Sequence, residues 1–149
     1  MVRLSKNKEM ININDSISHV INYLSNRSDV VAAYIFGSYG TAYQTLLSDV
    51  DIGILFLANE LPAMDTILEI TSCLTDITRE EDINMVVLNT APITLQYEVV
   101  SKGKVLFKKK TYLEDFHEYL FKRYGDFIID LERFYKEYDE ALREVYSSG

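Results

Sequence analysis

Residues 30–57 read VVAAYIFGSYGTAYQTLLSDVDIGILFL. This stretch contains two short apolar runs, Val30–Phe36 and Val50–Leu57, whose length and β-branched content are typical of strands buried on both faces. Gly37 ends the first run. The twelve residues Ser38–Asp49 that separate the runs are too many for a tight hairpin and favour a turn followed by a short helix. The stretch therefore predicts two core strands joined by a turn and a helix.

Outward from this stretch, apolar residues at helical spacing alternate with short apolar runs. Helices are predicted at Asn14–Asn26, Ala63–Thr78, Thr90–Lys102 and Tyr112–Tyr146, and further strands at Ile83–Leu88 and Val105–Phe107. These elements predict an α/β (α+β) fold in which a mixed β-sheet is flanked by helices and followed by a long C-terminal helix. We expect residues 1–110 to form the core and residues 111–149 to form a partner-binding helix of the same domain.

Length and charge narrow the possible functions. A chain of 149 residues is of the size of one domain. Its net charge of −8 disfavours a grip on long nucleic acid; it either suits a cationic partner or only keeps the protein soluble. No apolar run is long enough to span a membrane and the N-terminal sequence lacks a secretory signal, so we expect a cytoplasmic protein. The single cysteine, Cys73, excludes an internal disulfide.

Two carboxylates lie at the start of the second predicted strand. Side chains two residues apart in a strand point to the same side, so Asp49 and Asp51 are expected about 7 Å apart on one face. Two carboxylates this close repel each other unless a cation lies between them. Mg²⁺ prefers oxygen ligands and keeps positions for substrate phosphates, which makes the pair a candidate holder of a metal–nucleotide complex. The alternative interpretation is that the two carboxylates are only exposed to solvent at the start of a strand.

A glycine and a serine follow the first predicted strand. Gly37 lets the backbone approach a phosphate closely, and the following amides and the Ser38 hydroxyl can donate hydrogen bonds to its oxygens. The alternative interpretation is that Gly37 and Ser38 form a turn without a binding role. Because this turn and the Asp49–Asp51 pair occur together around a fixed gap, they predict a nucleotide site with Mg²⁺.

The arrangement of Gly-Ser, ten further residues and Asp-x-Asp resembles the signature of the polymerase-beta-like nucleotidyltransferases, and the short chain is similar to their minimal members. Leu88–Phe107, LNTAPITLQYEVVSKGKVLF, is similar to the corresponding part of the MntA-type antitoxins. The resemblance implies a protein that transfers AMP from ATP to a tyrosine of a cognate HEPN-type ribonuclease toxin. It also implies that Gly37 and Ser38 hold the triphosphate and that Asp49 and Asp51 ligate Mg²⁺.

The sequence departs from this family pattern in two places. Thr41 stands where the family commonly carries an arginine that contacts phosphate. A third acidic site residue is expected near the start of the third strand, where counting back from Leu88 selects Asn84 and charge selects Asp82. Because only Asp82 could act as a base, we predict that Asp82 completes the catalytic and metal site.

The predicted C-terminal helix holds ten of the eighteen aromatic residues of the chain. A small domain can bury only part of such a helix, which leaves an apolar strip for a toxin partner or for a second copy; burial in the core is the alternative. With the family resemblance, we expect a hetero-oligomer with the toxin. A lysine cluster beside the last strand is either a solvated edge or a contact for phosphates or an acidic partner. It comprises Lys102, Lys104, Lys108, Lys109 and Lys110.

Two other functions fit the same residues. The AMP acceptor could be a cationic small molecule of the aminoglycoside type, which an acidic surface would also suit. The protein could instead be a binding module that blocks a toxin sterically through its long helix and keeps only a residual nucleotide site.

Overall fold

A computed structural model describes the backbone of residues 10–147 and, within the last helix, the side chains of residue 116 and residues 120–145. Within this part of the chain, four strands form one sheet: β1 Val30–Phe36, β2 Val50–Phe56, β3 Ile83–Val87 and β4 Lys104–Lys108. Their order across the sheet is β3-β2-β1-β4. Strand β1 runs antiparallel to β2 and β4, whereas β2 and β3 are parallel. The prediction of a mixed sheet is confirmed.

Four α-helices accompany the sheet: α1 Ile17–Ser25, α2 Met64–Thr78, α3 Ile93–Lys102 and α4 Lys110–Ser147. Single 3-10 turns, Asn14–Ser16 and Leu88–Thr90, precede α1 and α3. The helices agree with the predicted segments because each carries its apolar residues at helical spacing. None of the helices described is long and apolar enough to cross a membrane. The N-terminal sequence on which the absence of a secretory signal rests lies mostly outside the described residues.

Strand β1 is the centre of the core. Ala33 and Ile35 pack in one apolar cluster with α1 and α2, while Ala32 and Tyr34 pack in a second cluster with α3 and α4. The strand is therefore buried on both faces, as predicted, and the helices cover the sheet from both sides. Burial raises the pKa of Tyr34 to about 12.

The connection between β1 and β2 contains no helix, and the prediction of a short helix there is wrong. Three successive turns replace it, closed by backbone bonds from Thr41 N–H to the Ser38 carbonyl, from Gln44 to Thr41 and from Ser48 to Thr45. The side chains of Thr41, Gln44 and Ser48 also bond to the loop's own backbone. Such short polar side chains compete with the hydrogen bonds of a helix, which explains why the turns are favoured.

Helix α4 begins against the domain and then extends past it. Leu120 is 1% exposed, and the Tyr124 ring stacks on Tyr97 of α3 with ring centroids 3.7 Å apart. The helix continues uninterrupted through Gly125, and its 38 residues correspond to about 57 Å. Most of its described side chains beyond Tyr124 are exposed. The side chains of Lys110 and Tyr119 lie outside the described residues.

Candidate active site

The strand register brings the predicted site residues to one end of the sheet. Phe36, the last residue of β1, pairs with Asp51 of β2, so the turn that begins at Gly37 leaves β1 beside the Asp51 side chain. Asp51 also pairs with Asn84 of the parallel strand β3. Asp49 directly precedes β2. The turn, the two carboxylates and Asn84 therefore meet at this end.

Gly37 and Asp51 are in close contact. The backbone of Gly37 has a φ of +80°, and a Cβ atom placed on it would lie 2.6 Å from Oδ2 of Asp51. That distance is too short for a real side-chain contact, so the carboxylate occupies the space that a side chain would need. The glycine is required both by its conformation and by its neighbour. The Gly37–Ser38 turn and the carboxylate pair are thus parts of one site.

Asn84 bridges the two carboxylates. Its amide Nδ2 donates hydrogen bonds to Asp49 Oδ2 at 3.0 Å and to Asp51 Oδ1 at 3.2 Å. One donor nitrogen within reach of both oxygens means that the two negative groups converge on a single point. All three side chains are half-buried, so their repulsion is screened less than it would be on an open surface. The amide offsets part of this repulsion.

Asp82, the residue predicted to complete the site, lies one residue before β3. Its backbone carbonyl accepts a hydrogen bond from Val50 N–H at 3.0 Å, which helps to fix the start of β2. Among residues whose side chains the structure describes, no group of three or more acidic, histidine or cysteine side chains could hold a metal ion. The acidic site groups brought together here are therefore Asp49 and Asp51, with Asn84 between them.

The residues present fit a magnesium ion. Mg²⁺ is held in many phosphate-transfer sites by one or two carboxylates, and the remaining positions go to water and substrate phosphates. Asp49 and Asp51 provide two carboxylates aimed at one point, and Asn84 can turn its amide so that the oxygen faces a cation. Gly37 leaves the Asp51 carboxylate uncovered by any side chain at that position.

A cavity of about 720 Å³ adjoins the Gly37–Ser38 turn. Its volume falls within the range of small-molecule sites. Beside the turn itself, it is lined by loop residues such as Tyr43 and by the charged side chains of Glu98, Lys102 and Lys104. Sequence reasoning singled out these lysines only as part of a larger cluster. Lys102 and Lys104 lie near the turn because Lys104 pairs with Ile35 of β1. This pairing joins distant parts of the sequence, so no local pattern reveals it.

The loop after the turn is tied to the segment before α1. The Tyr39 hydroxyl accepts a hydrogen bond from Ile13 N–H and donates one to Asn14 Oδ1, both at 2.9 Å. The Gln44 amide donates to the Ile11 carbonyl at 2.8 Å. These bonds hold the loop although it lacks a helix. Sequence reasoning missed this role of Tyr39 because the contact joins residues 26 positions apart.

Comparison with known proteins agrees with this geometry. Residues 18–112 match the family model described as Polymerase beta, Nucleotidyltransferase. This range contains the Gly37–Ser38 turn, both carboxylates and Asn84. No curated protein is significantly similar to the chain in sequence.

Several solved structures share the fold. One is a crystal structure of a toxin–antitoxin pair with AMP-PNP, at 23% identity and a TM-score of 0.64, covering 83% of this chain and 95% of that one. Another is a tri-AMPylated HEPN toxin from Shewanella oneidensis in complex with an MNT antitoxin, at 22% identity and a TM-score of 0.64, covering 85% and 98%. A third is the toxin–antitoxin pair MntA–HepT, at 21% identity and a TM-score of 0.62, covering 82% and 95%.

The contact between Gly37 and Asp51 predicts different effects of alanine at the two glycines of the turn. Gly40 also has a positive φ, +75°, but nothing lies within 4 Å of the position of its Cβ. Gly40→Ala should lower the free energy of unfolding by about 1 kcal/mol through backbone strain alone. Gly37→Ala should lower it by about 1–3 kcal/mol more, because the new methyl group must displace the carboxylate. Urea unfolding monitored by circular dichroism measures both values. Equal losses would show that the carboxylate moves aside freely.

The position of Asn84 predicts how a third carboxylate would behave. Asn84→Asp places another negative charge beside Asp49 and Asp51, so without divalent ions the free energy of unfolding should fall by about 1–3 kcal/mol. Mg²⁺ should raise the melting temperature of this variant more than that of the wild type. Asn84→Ala, which removes the bridge but adds no charge, is the control. An equal Mg²⁺ response in all three proteins contradicts a shared cation site.

Proposed function

This chain belongs to the Polymerase beta nucleotidyltransferase family, and we propose that it is an antitoxin that transfers AMP from ATP to a tyrosine hydroxyl of a cognate HEPN ribonuclease toxin. It acts in the cytoplasm as a Mg²⁺-dependent protein adenylyltransferase and forms a hetero-oligomer with the toxin. The observation that carries the proposal is the convergence of the Gly37–Ser38 turn with the carboxylates of Asp49 and Asp51.

Each group of the site has a role in this reaction. The backbone amides of the turn and the Ser38 hydroxyl bind phosphate oxygens of ATP and orient the α-phosphorus. Asp49 and Asp51 are the metal ligands of the proposed site. When bound, Mg²⁺ neutralises phosphate charge and favours departure of pyrophosphate. The acceptor oxygen forms a bond to the α-phosphorus, the bond from the α-phosphorus to the oxygen of the leaving pyrophosphate breaks, and the acceptor proton passes to water.

For the third site position we propose Asn84 rather than Asp82. Asn84 is the side chain that bonds to both carboxylates. An amide cannot take up a proton from the acceptor, so Asn84 is a positioning residue that keeps the two carboxylates aligned. A phenol, with an unperturbed pKa near 10, is easier to deprotonate than an aliphatic alcohol. A tyrosine acceptor therefore suits a site without a third carboxylate.

The solved neighbours support the choice of substrate and partner. They include a toxin–antitoxin pair with AMP-PNP and a tri-AMPylated HEPN toxin in complex with an MNT antitoxin. The proposal therefore includes that this chain uses ATP and that a toxin is its AMP acceptor.

Helix α4 is the proposed contact surface for the toxin. Phe116, Leu120 and Tyr124 lie along one stripe of the helix and pack on the domain or on α3. At spacings of three and four residues the stripe continues through Phe127, Leu131, Phe134, Tyr138, Leu142 and Val145. In this second part Phe134 is 60% and Tyr138 55% exposed. The apolar stripe continues beyond the point where the helix contacts its own domain. An exposed apolar surface of this kind is typical of a site that binds another protein.

Steric inhibition without catalysis is the second candidate function. The exposed stripe of α4 could cover a toxin by itself, and the neutral Asn84 and Thr41 weaken the case for efficient transfer. The two candidate functions are separated by incubating the protein with ATP, Mg²⁺ and the toxin encoded by the neighbouring gene. The intact mass of the toxin is then measured. An added AMP mass supports the transferase, and an inhibited but unmodified toxin supports steric inhibition.

Removing one carboxylate of the pair should abolish most AMP transfer and leave the fold intact. Asp49→Asn and Asp51→Asn keep the side-chain shape but remove a charge, so each should lower the rate of AMP transfer by about 100-fold or more. Asp76→Asn is the matched control, because it removes the same charge at an exposed position of α2. Transfer of labelled AMP to the purified toxin gives the rate. Full activity of Asp51→Asn would refute the metal assignment.

Replacing apolar side chains of the exposed stripe by alanine should weaken binding of the toxin. Phe134→Ala combined with Leu142→Ala should raise the Kd for the toxin by about 10- to 100-fold, as expected for central apolar contacts. Glu140→Ala combined with Arg143→Ala is the control; it changes the opposite side of the helix and leaves the net charge unchanged. Both variants should unfold like the wild type. Titration calorimetry measures the Kd, and an unchanged value for the apolar double variant would exclude this surface.

A further inference from the structure

The cavity beside the Gly37–Ser38 turn carries positive charge from another part of the chain. Loop residues 37–49 contain no lysine or arginine, so the turn itself offers a phosphate only amides and hydroxyls. Of the residues that line the cavity, Lys102 and Lys104 are cationic and Glu98 is anionic. The cavity wall thus has a local excess of positive charge in a protein whose net charge is −8.

The backbone fixes where these lysines emerge. Lys102 ends α3, Lys104 begins β4, and Gly103 joins them. A Cβ on Gly103 would collide with the Val99 carbonyl oxygen and come within 3.3 Å of the Ile35 carbonyl oxygen. The junction therefore packs directly on β1, two residues before the turn. This close packing places both lysines on the wall that faces the turn.

We propose that Lys102 and Lys104 bind the β- and γ-phosphates of the nucleotide, an inference that rests on the proposed use of ATP. The Asp51 side chain contacts Gly37, and the cavity is lined by Gly37 and Ser38 but not by Asp49 or Asp51, so the turn joins the carboxylate pair to the cavity. A triphosphate held by the turn amides can reach from the carboxylate pair towards the lysines. Ammonium groups are suitable phosphate ligands, and charge-assisted hydrogen bonds to phosphate are among the stronger polar contacts.

Glu98 is the acidic side chain of the cavity wall. Its carboxylate repels phosphate oxygens but accepts hydrogen bonds from hydroxyl groups. Lys104 begins the strand that pairs with β1 at Ile35, whereas Glu98 lies one helical turn before Lys102 in α3. Because side chains four residues apart on a helix are neighbours, Glu98 lies beside Lys102, and the two lysines together outweigh its charge.

The test compares ATP with AMP by calorimetry in the presence of Mg²⁺ and in the absence of toxin. Lys102→Ala and Lys104→Ala should each raise the Kd for ATP by about tenfold, and the double variant should raise it further. The Kd for AMP should change by less than about twofold, because AMP lacks the two terminal phosphates. Lys108→Ala is the matched control: Lys108 is exposed at the other end of β4, paired with Ala32, and does not line the cavity.

Three outcomes would overturn the proposal: unchanged ATP binding by the double variant, an equal loss for ATP and AMP, or an equal effect of Lys108→Ala. A wild-type protein that binds no ATP would overturn it as well. A wild-type protein that binds ATP through the lysines but leaves the toxin unmodified supports this inference and contradicts the proposed transfer. Transfer of AMP by a protein whose ATP affinity does not depend on either lysine contradicts this inference and supports the proposed transfer.

Discussion

The close approach of the Asp51 carboxylate to Gly37 is the constraint on which the site depends. Phe36 pairs with Asp51, so the chain leaves β1 directly beside the carboxylate, and no side chain fits there. A shift of the β1–β2 register by one residue would turn Asp51 to the other face of the sheet. The same register therefore determines the positions of both the Gly37–Ser38 turn and the carboxylate pair.

The core keeps this register fixed. Strand β1 is central and buried on both faces, so slippage by one residue would exchange the side chains that pack in its two apolar clusters, whose shapes differ. The parallel pairing of β2 with β3 brings a third polar side chain to the carboxylate pair, because Asn84 lies opposite Asp51. Side chains held by strand register are positioned more precisely than side chains on a free loop. In the loop itself, the hydroxyl of Tyr39 supplies the anchoring that a helix would have supplied.

The sequence predicts the strands, the helices and the meeting of the turn with the carboxylate pair, since apolar periodicity and strand alternation are local properties. Local patterns do not capture contacts between residues that are distant in the sequence. Asp82 and Asn84 are two residues apart, so alternation treats them alike and only charge separates them. The register of β3 against β2 brings the Asn84 amide to the pair. The missing loop helix depends on side-chain bonds to the backbone, which helical propensity does not capture.

The distribution of charge along the chain is compatible with the proposed binding of a nucleotide by an acidic protein. Residues 126–147 contain seven acidic and three basic residues, a net charge of −4, which is half of the total. These residues lie on the part of α4 that extends past the domain, where most side chains are exposed. With Asn84 neutral, the bridged carboxylates Asp49 and Asp51 carry a charge of −2, which one divalent cation balances. In the proposed complex the remaining phosphate charge is met by the turn amides and by Lys102 and Lys104, so the local arrangement of charge matters more for this proposal than the net charge.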